Sequence, residues 1–507
     1  MQSSAIICKV IFWCIVLYLI YRPKKNNSEE KVQTPKFDKQ PPVQQMARKT
    51  PEPPAVPLYQ TVTKPTIKKR PVVDESVKQP LSVTKLSKLQ KDTFDLIENT
   101  NKNIFIQGQA GTGKSTFVDY LRSHSDKRIL VACPTAVAAI NVGGSTIHSL
   151  FKLPLSDFLI IDEIVKKPRR NLASILQKTD LLIIDEVSMV RPDMLDAIDA
   201  LSRIARCNKR LPFGGLQILL IGDLCQLPPV IKQNTYEVFR QAYGVKMPYF
   251  FDSKAYKNGG FEKIEFSKVY RQSDPELLEN LIKVRNHEDL NSAIEYFNTC
   301  KIMDKDVLDT AITITPYRAV AEQMNKQRLD AISEPQRNYE CRTTGTFDEA
   351  KDAPAPRVLT LRKGALVIFN KNNGSKWING TSGIVESLSD SIIEVRILKT
   401  NEVVAVKREE WKIYQYEIDK ETSKVYEKEV GSFIQFPLQL GYALTIHKAQ
   451  GKTLDSVIVD IDRGAFAHGQ LYVALSRTRK KSDIHLVRPI SLYDIIQDDH
   501  VLNFLNK

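Results

Sequence analysis

NIFIQGQAGTGKSTFVDYLRS, residues 103–123, is the stretch from which the fold of this chain is read. Its centre, GQAGTGKST at 108–116, has the spacing G-x-x-x-x-G-K-[ST]. A strand-like NIFIQ precedes it and a helix-like TFVDYLRS follows. Glycines at such a turn let backbone N–H groups close around phosphates, so Gly108, Ala110, Gly111, Thr112, Gly113, Lys114, Ser115 and Thr116 form the candidate cradle. Lys114 is placed to reach the terminal phosphates, and Ser115 to give an oxygen to a magnesium ion. Strand, phosphate loop and helix in that order predict an α/β fold around a parallel sheet.

Outward from the loop the strand texture repeats. ILVAC at 129–133, LLIID at 181–185, LQILLIG at 216–222 and AITITP at 311–316 read as buried parallel strands. The sequence LIIDE occurs twice, at 159–163 and 182–186, where one active site needs one acidic pair. The later copy continues as VSMVRPDMLDAIDAL, a strand end running into an amphipathic helix. Asp185 is therefore the candidate magnesium ligand, and Glu186 the group that orients or deprotonates an attacking water. The earlier copy runs into IVKKPRR, where Pro168 and a basic cluster end any regular element. Asp162 and Glu163 are read as a solvated loop or helix face.

Three later motifs narrow the chemistry. LLIGDLCQLPPV puts a strand before Asp223 and Gln226, and a glutamine there can bond a γ-phosphate and lose that bond on hydrolysis. VYRQ at 269–272 and YVALSRTRKK at 472–481 offer Arg271 and Arg477, either of which could neutralise charge on a transferring phosphoryl group. LTIHKAQGKTL at 444–454 carries a polar block of His447, Lys448, Gln450 and Thr453. Cys225, inside the sensor motif, reads as a small buried hydrophobe.

The 507 residues exceed what one hydrophobic core organises, so two or more globular units are expected. A formal charge of +14 favours polyanionic partners, nucleic acid or an anionic membrane. Half of that excess sits in residues 22–80, which hold thirteen Lys and Arg against six Asp and Glu. That stretch is rich in Pro and poor in aromatics, the composition of a disordered tether. Before it, AIICKVIFWCIVLYLIY at 5–21 is followed at once by RPKK. It reads as one N-terminal membrane anchor, with the body on the cytoplasmic or organelle-interior side. A removed leader is the alternative. The seven cysteines show neither C-x-x-C nor a Cys/His cluster, which argues against structural zinc or a disulfide framework. Between 361 and 435 the texture turns to short β segments, predicting an inserted small barrel.

The ordered set GQAGTGKST, CPTAVAAINVGGSTIHSLF, LLIIDEVSM, GDLCQLPPV, VYRQ, LTIHKAQGKTL and YVALSR resembles the superfamily 1B DNA helicases. Within them it is similar to the petite-integration-frequency (Pif) type, related to RecD-like enzymes. The resemblance covers about 81–503 and implies two RecA-like motor domains using ATP and magnesium. It implies 5′→3′ movement on single-stranded DNA and unwinding of forked DNA in replication, recombination or repair. The catalytic set it implies is Lys114, Glu186, Gln226, Arg271 and Arg477, with Gln90 reading adenine and Gly451 near the γ-phosphate, where Lys452 also falls. Pro134, Thr135, Thr146, His148, Thr445, His447 and Lys448 match DNA-side positions. Trp377 either stacks on a base or packs the barrel. The anchor at 1–21 and the tether at 22–80 depart from the family's pattern, and the implied division of the rest begins with a first motor domain at 81–268 with a wedge at about 151–175. A second motor domain follows at 269–361 and 433–507, split by an SH3-like β-barrel at 362–432. The motifs touch backbone, so RNA or a DNA–RNA hybrid is an alternative partner. A membrane-tethered ATPase that binds nucleic acid without unwinding is the alternative function.

Overall fold

The computed structural model describes residues 70–71, 86–166, 169–302, 305–345, 353–374, 376–419 and 425–506. The expected anchor at 1–21 and all but 70–71 of the tether lie outside them. Among the described residues no helix is long and apolar enough to cross a membrane.

Apolar runs without alternation build the four inner strands of the first sheet. Its strands are β1 (Ile104–Gly108), β2 (Ile129–Cys133), β3 (Ser145–Thr146), β4 (Leu181–Ile184), β5 (Gln217–Gly222) and β6 (Glu262–Phe266). They lie in the order β3-β2-β4-β5-β1-β6, and every pair is parallel. Successive side chains alternate between two cores, as a pleated strand requires. Ile104, Val131, Ile183 and Leu219 pack on one face, and Phe105, Leu130, Leu182 and Leu220 on the other. Burial on both faces is why these strands read as continuous apolar runs. It also forces every polar loop to the sheet ends, where β1, β4 and β5 deliver their motifs side by side. The earlier LIIDE copy is no strand. Helix Ile161–Lys166 starts inside it, with Asp162 and Glu163 both exposed.

A second parallel sheet runs Ala443–Thr445, Ile312–Thr315, Val457–Val459, Ile484–Leu486 and Lys301–Ile302 in spatial order. Its core, with Ile312, Ile314, Val457 and Val459, is covered by helices Pro275–Asn286, Leu290–Asn298 and Gln470–Leu475. The two parallel sheets are the two RecA-like lobes expected from sequence.

Between the second and third of those strands along the chain lies an antiparallel sheet of Leu366–Phe369, Ser382–Leu388, Ile393–Ile397, Val403–Val406 and Leu438–Leu440. A long hairpin, Glu409–Ile418 and Val425–Gln435, leaves that sheet and reaches the first lobe. There Tyr416 joins the core around Phe105, and its hydroxyl accepts from the Val131 N–H at 3.3 Å. The C-terminal helix Asp499–Leu505 also packs on the first lobe, Phe504 stacking on Phe251 with centroids 4.1 Å apart.

Candidate active site

Chain geometry at the end of β1 demands glycine. Gly111 and Gly113 hold φ of 83° and 79°, and a Cβ on Gly111 would stand 2.4 Å from the Cβ of Arg271. The turn feeds helix Lys114–His124, which places Lys114 at its first position and Ser115 and Thr116, both exposed, next to it. The Lys114 ammonium donates to the carbonyls of Gly108 at 2.5 Å and Gln109 at 3.0 Å. Thr112 Oγ1 donates to the Gln109 carbonyl, tightening the loop. Gln90 is buried beside it, its Nε2 donating to the Thr112 carbonyl at 3.4 Å while its Oε1 accepts from the Ser87 N–H.

Asp185 and Glu186 leave β4 in unusual circumstances. Glu186 holds φ of 52°, a left-handed conformation that disfavours side chains other than Gly, Asn and Asp. Burial and the adjacent Glu186 push the Asp185 carboxyl up to about 7. Burial also raises Glu186, against the pull of Lys114. The same burial lowers Lys114, opposed by Asp223, Glu186 and Asp185. The three charges are thus withdrawn from water and depend on one another.

The first lobe's sensor loop is wired to both neighbours. Asp223 accepts from Gln107 Nε2 at 3.2 Å and from Gln226 Nε2 at 2.9 Å. From the second lobe, Gln450 Nε2 donates to Gln226 Oε1 at 3.2 Å and to Glu186 Oε2 at 3.3 Å. One amide of the second lobe therefore touches the sensor and the acidic pair together. Tyr472, also from the second lobe, accepts from the Ala110 N–H at 3.3 Å. Arg271 is half-buried against the phosphate loop, its buried Nη1 lacking a hydrogen-bond partner, and desolvation of the guanidinium holds its pKa down. Arg477 is buried too, donating to the carbonyls of Val473, Ala449 and Lys452. Burial, then Arg271, brings it down to about 9. Gly451 follows Gln450 with φ of 77°.

Gln90, the loop residues, Asp185, Glu186, Gln226 and Arg271 are thus gathered around one cleft, with Gln450 closing it from the second lobe. Lys452 departs from expectation, because its ammonium donates to Asn379 Oδ1 of the inserted sheet at 2.5 Å. Trp377 is buried against Phe369, centroids 4.6 Å apart, which is the packing role of the two considered. The expected nucleic-acid residues form two sets, one per lobe. Pro134 and Thr135 follow β2, and Thr146 ends β3 with His148 two residues on. Thr445 ends a second-lobe strand, with His447 half-buried and Lys448 exposed. Thr135, Thr146 and Thr445 each cap a short helix, their hydroxyls accepting from Ala138, Ser149 and Lys448 N–H groups. Each hydroxyl hydrogen stays available to a ligand. Burial lowers the His447 pKa, disfavouring the charged imidazolium.

Sequence reasoning missed Tyr270 and Tyr472, and did not place Gln450 at the acidic pair. Tyr270 donates its N–H to the Gly111 carbonyl at 2.8 Å, and its ring lies 3.7 Å from where a Gly113 Cβ would stand. The available signal was local, since each tyrosine neighbours a motif arginine or helix already singled out.

A parallel sheet ending in a phosphate loop, with a second parallel sheet bonding its acidic pair, is the arrangement of a two-lobed RecA-like ATPase. The PIF1-like helicase model matches residues 85–305, and the UvrD-like helicase C-terminal domain matches 440–484. The ATP-dependent DNA helicase Pif1 of Bdellovibrio bacteriovorus is 33% identical over 438 residues, 84% of this chain and 92% of its own length. Bacteroides Pif1 in complex with ADP-AlF4 superposes with a TM-score of 0.76 at 36% identity, covering 83% of this chain and 96% of that one. The same relative bound to single-stranded DNA gives 0.61 at the same identity, with 83% and 96% covered. The chain belongs to the PIF1-like family of ATP-dependent DNA helicases.

Proposed function

We propose that the chain couples ATP hydrolysis in this cleft to 5′→3′ movement on single-stranded DNA and to unwinding of forked duplex. The observation that carries the reading is the Gln450 amide, which bonds Glu186 and Gln226 across the two lobes at 3.3 and 3.2 Å. A bond of that kind makes lobe spacing depend on what the sensor glutamine touches, and changing lobe spacing moves two gripping surfaces along a strand.

The donor set fits a nucleotide with magnesium. Among the described residues no cluster of three or more His, Cys, Asp or Glu could hold a metal alone, so Asp185 and Ser115 would hold it with oxygens from phosphate and water. When bound, the ion neutralises phosphate charge. Lys114 binds the terminal phosphates, Glu186 takes the proton of the attacking water, and Gln226 is the sensor. A raised carboxyl suits that base, because a proton acceptor works best with a pKa near the working pH. Arg271 and Arg477 neutralise the transferring group. Gln90 and Tyr270 form the adenine end. Pro134, Thr135, Thr146, His148, Thr445, His447 and Lys448 grip the strand by its backbone, which supports salt-dependent binding with little base preference. The division at 81–268, 269–361 with 433–507, and an SH3-like insert at 362–432 belongs to this reading. So does membrane anchoring through 5–21, tested by flotation of the full chain with liposomes. Stimulation of ATPase by DNA and RNA oligomers of one sequence decides the sugar preference.

Lys114→Ala tests the site. It is expected to abolish both ATPase and unwinding, and unwinding retained by that variant would refute the assignment.

A further inference from the structure

Arg285 lies in helix Pro275–Asn286 of the second lobe and is only 7% exposed. Its guanidinium faces the first lobe. Nε stands 3.5 Å from Asp223 Oδ1, and Nη2 3.6 Å from Glu265 Oε1 on β6. Neither nitrogen makes a hydrogen bond, while Nη1 donates to Asn286 at 3.0 Å. The Arg285 carbonyl accepts from Gln497 Nε2 at 3.1 Å, fixing this helix end to the C-terminal segment.

Burying two unbonded N–H groups of a cation is costly, so the arrangement is stable only with its carboxylates close by. Charge-assisted bonds of this type close to about 2.7–2.9 Å. An approach of the lobes by well under an ångström would therefore turn two long ion pairs into hydrogen bonds. Asp223 is the residue that gains, and it already holds the Gln226 amide at 2.9 Å and Gln107 at 3.2 Å. Gln450 of the same lobe bonds Gln226 Oε1, so the second lobe holds one end of the sensor amide directly, and Arg285 stands beside the Asp223 carboxylate that holds the other.

We propose that Arg285 is a positioning residue that bonds Asp223 as the cleft closes and so sets the orientation of the Gln226 amide for turnover. This rests on the reading of the cleft as the hydrolysis site.

The test is DNA-stimulated ATPase of the full chain, with kcat and KM for ATP read separately for Arg285→Met, Arg285→Lys, Asp223→Asn and the Arg285→Met/Asp223→Asn pair. Arg285→Met is expected to lose about ten-fold or more in kcat with KM within about two-fold, and Arg285→Lys to recover part of the loss. The double variant is expected to be no slower than Asp223→Asn, because both act through one contact. An Arg285→Met kcat within about two-fold of wild type overturns the proposal. A double variant about ten-fold slower than Asp223→Asn overturns it equally. Should Arg285→Met fail to fold, the comparison of Asp223→Asn with the double variant, which removes both buried charges, decides alone. Lys114→Ala separates the levels. ATPase retained there sinks the site reading, whereas its loss beside a normal Arg285→Met sinks only the role of Arg285.

Discussion

Asp185 and Glu186, the acidic pair of the proposed hydrolysis site, sit together at a cost. Two carboxyls side by side in a buried site disfavour ionisation, and Asp185 rises from 3.8 to about 7. The sign follows from linkage. The folded chain keeps Asp185 protonated at pH values where the unfolded chain has released it, so its contribution to stability is full below pH 3.8 and is lost as pH rises through about 7. Asp185→Asn, neutral throughout, should therefore stabilise the nucleotide-free protein at pH 8 by on the order of 4 kcal/mol, since one pKa unit is worth about 1.4 kcal/mol. The gap should shrink steadily as pH falls from 7 toward 4. Thermal melts of both proteins across that range, without ATP or magnesium, check it. A gap that is flat with pH would contradict the assigned environment.

Elements bring the lobes together through very close approaches. Gly469 precedes helix Gln470–Leu475 with φ of 73°, and a Cβ there would stand 2.4 Å from the Cys225 carbonyl oxygen and 2.5 Å from that of Gln226. Gly469→Ala must push the second-lobe helix off the sensor loop, so kcat for ATP should fall by about ten-fold while fluorescent ADP still binds the first lobe. Unchanged turnover would mean that the approach has no part in hydrolysis. The C-terminal helix works through packing. Phe504 stacks on Phe251 and is half-buried against the first core, so Phe504→Ala should cost about 2 kcal/mol in urea unfolding, less than a fully buried phenylalanine. Elements of this kind were the least legible in the sequence. Strand β6 was overlooked because it lies at a sheet edge, with Phe266 its single buried residue. The hairpin Glu409–Ile418 and Val425–Gln435 read as part of a barrel because its partner is remote. Tyr416 meets Val131 across 285 positions of chain, and no local periodicity reports such a contact.

At the scale of the whole molecule, the motifs were legible and the cleft between them was not. GQAGTGKST, the second LIIDE and GDLCQLPPV announce themselves because phosphate binding fixes residue types at fixed local spacing. All three end up at the carboxyl edge of one sheet, where the order β4-β5-β1 places them. Gln450, Tyr472 and Arg285 reach the same place from another lobe. Their spacing along the chain carries no signature, since Ala110 and Tyr472 are 362 positions apart. What joins the lobes is thus found only in three dimensions, and in the proposed function it is what couples the nucleotide site to movement. The direct test is unwinding by the full chain, with ATP and magnesium, of duplexes bearing only a 5′ or only a 3′ single-stranded tail. Unwinding confined to the 5′-tailed duplex is the predicted result. Unwinding of the 3′-tailed duplex would contradict the direction, and none on either, with DNA-stimulated ATPase intact, would contradict the motor.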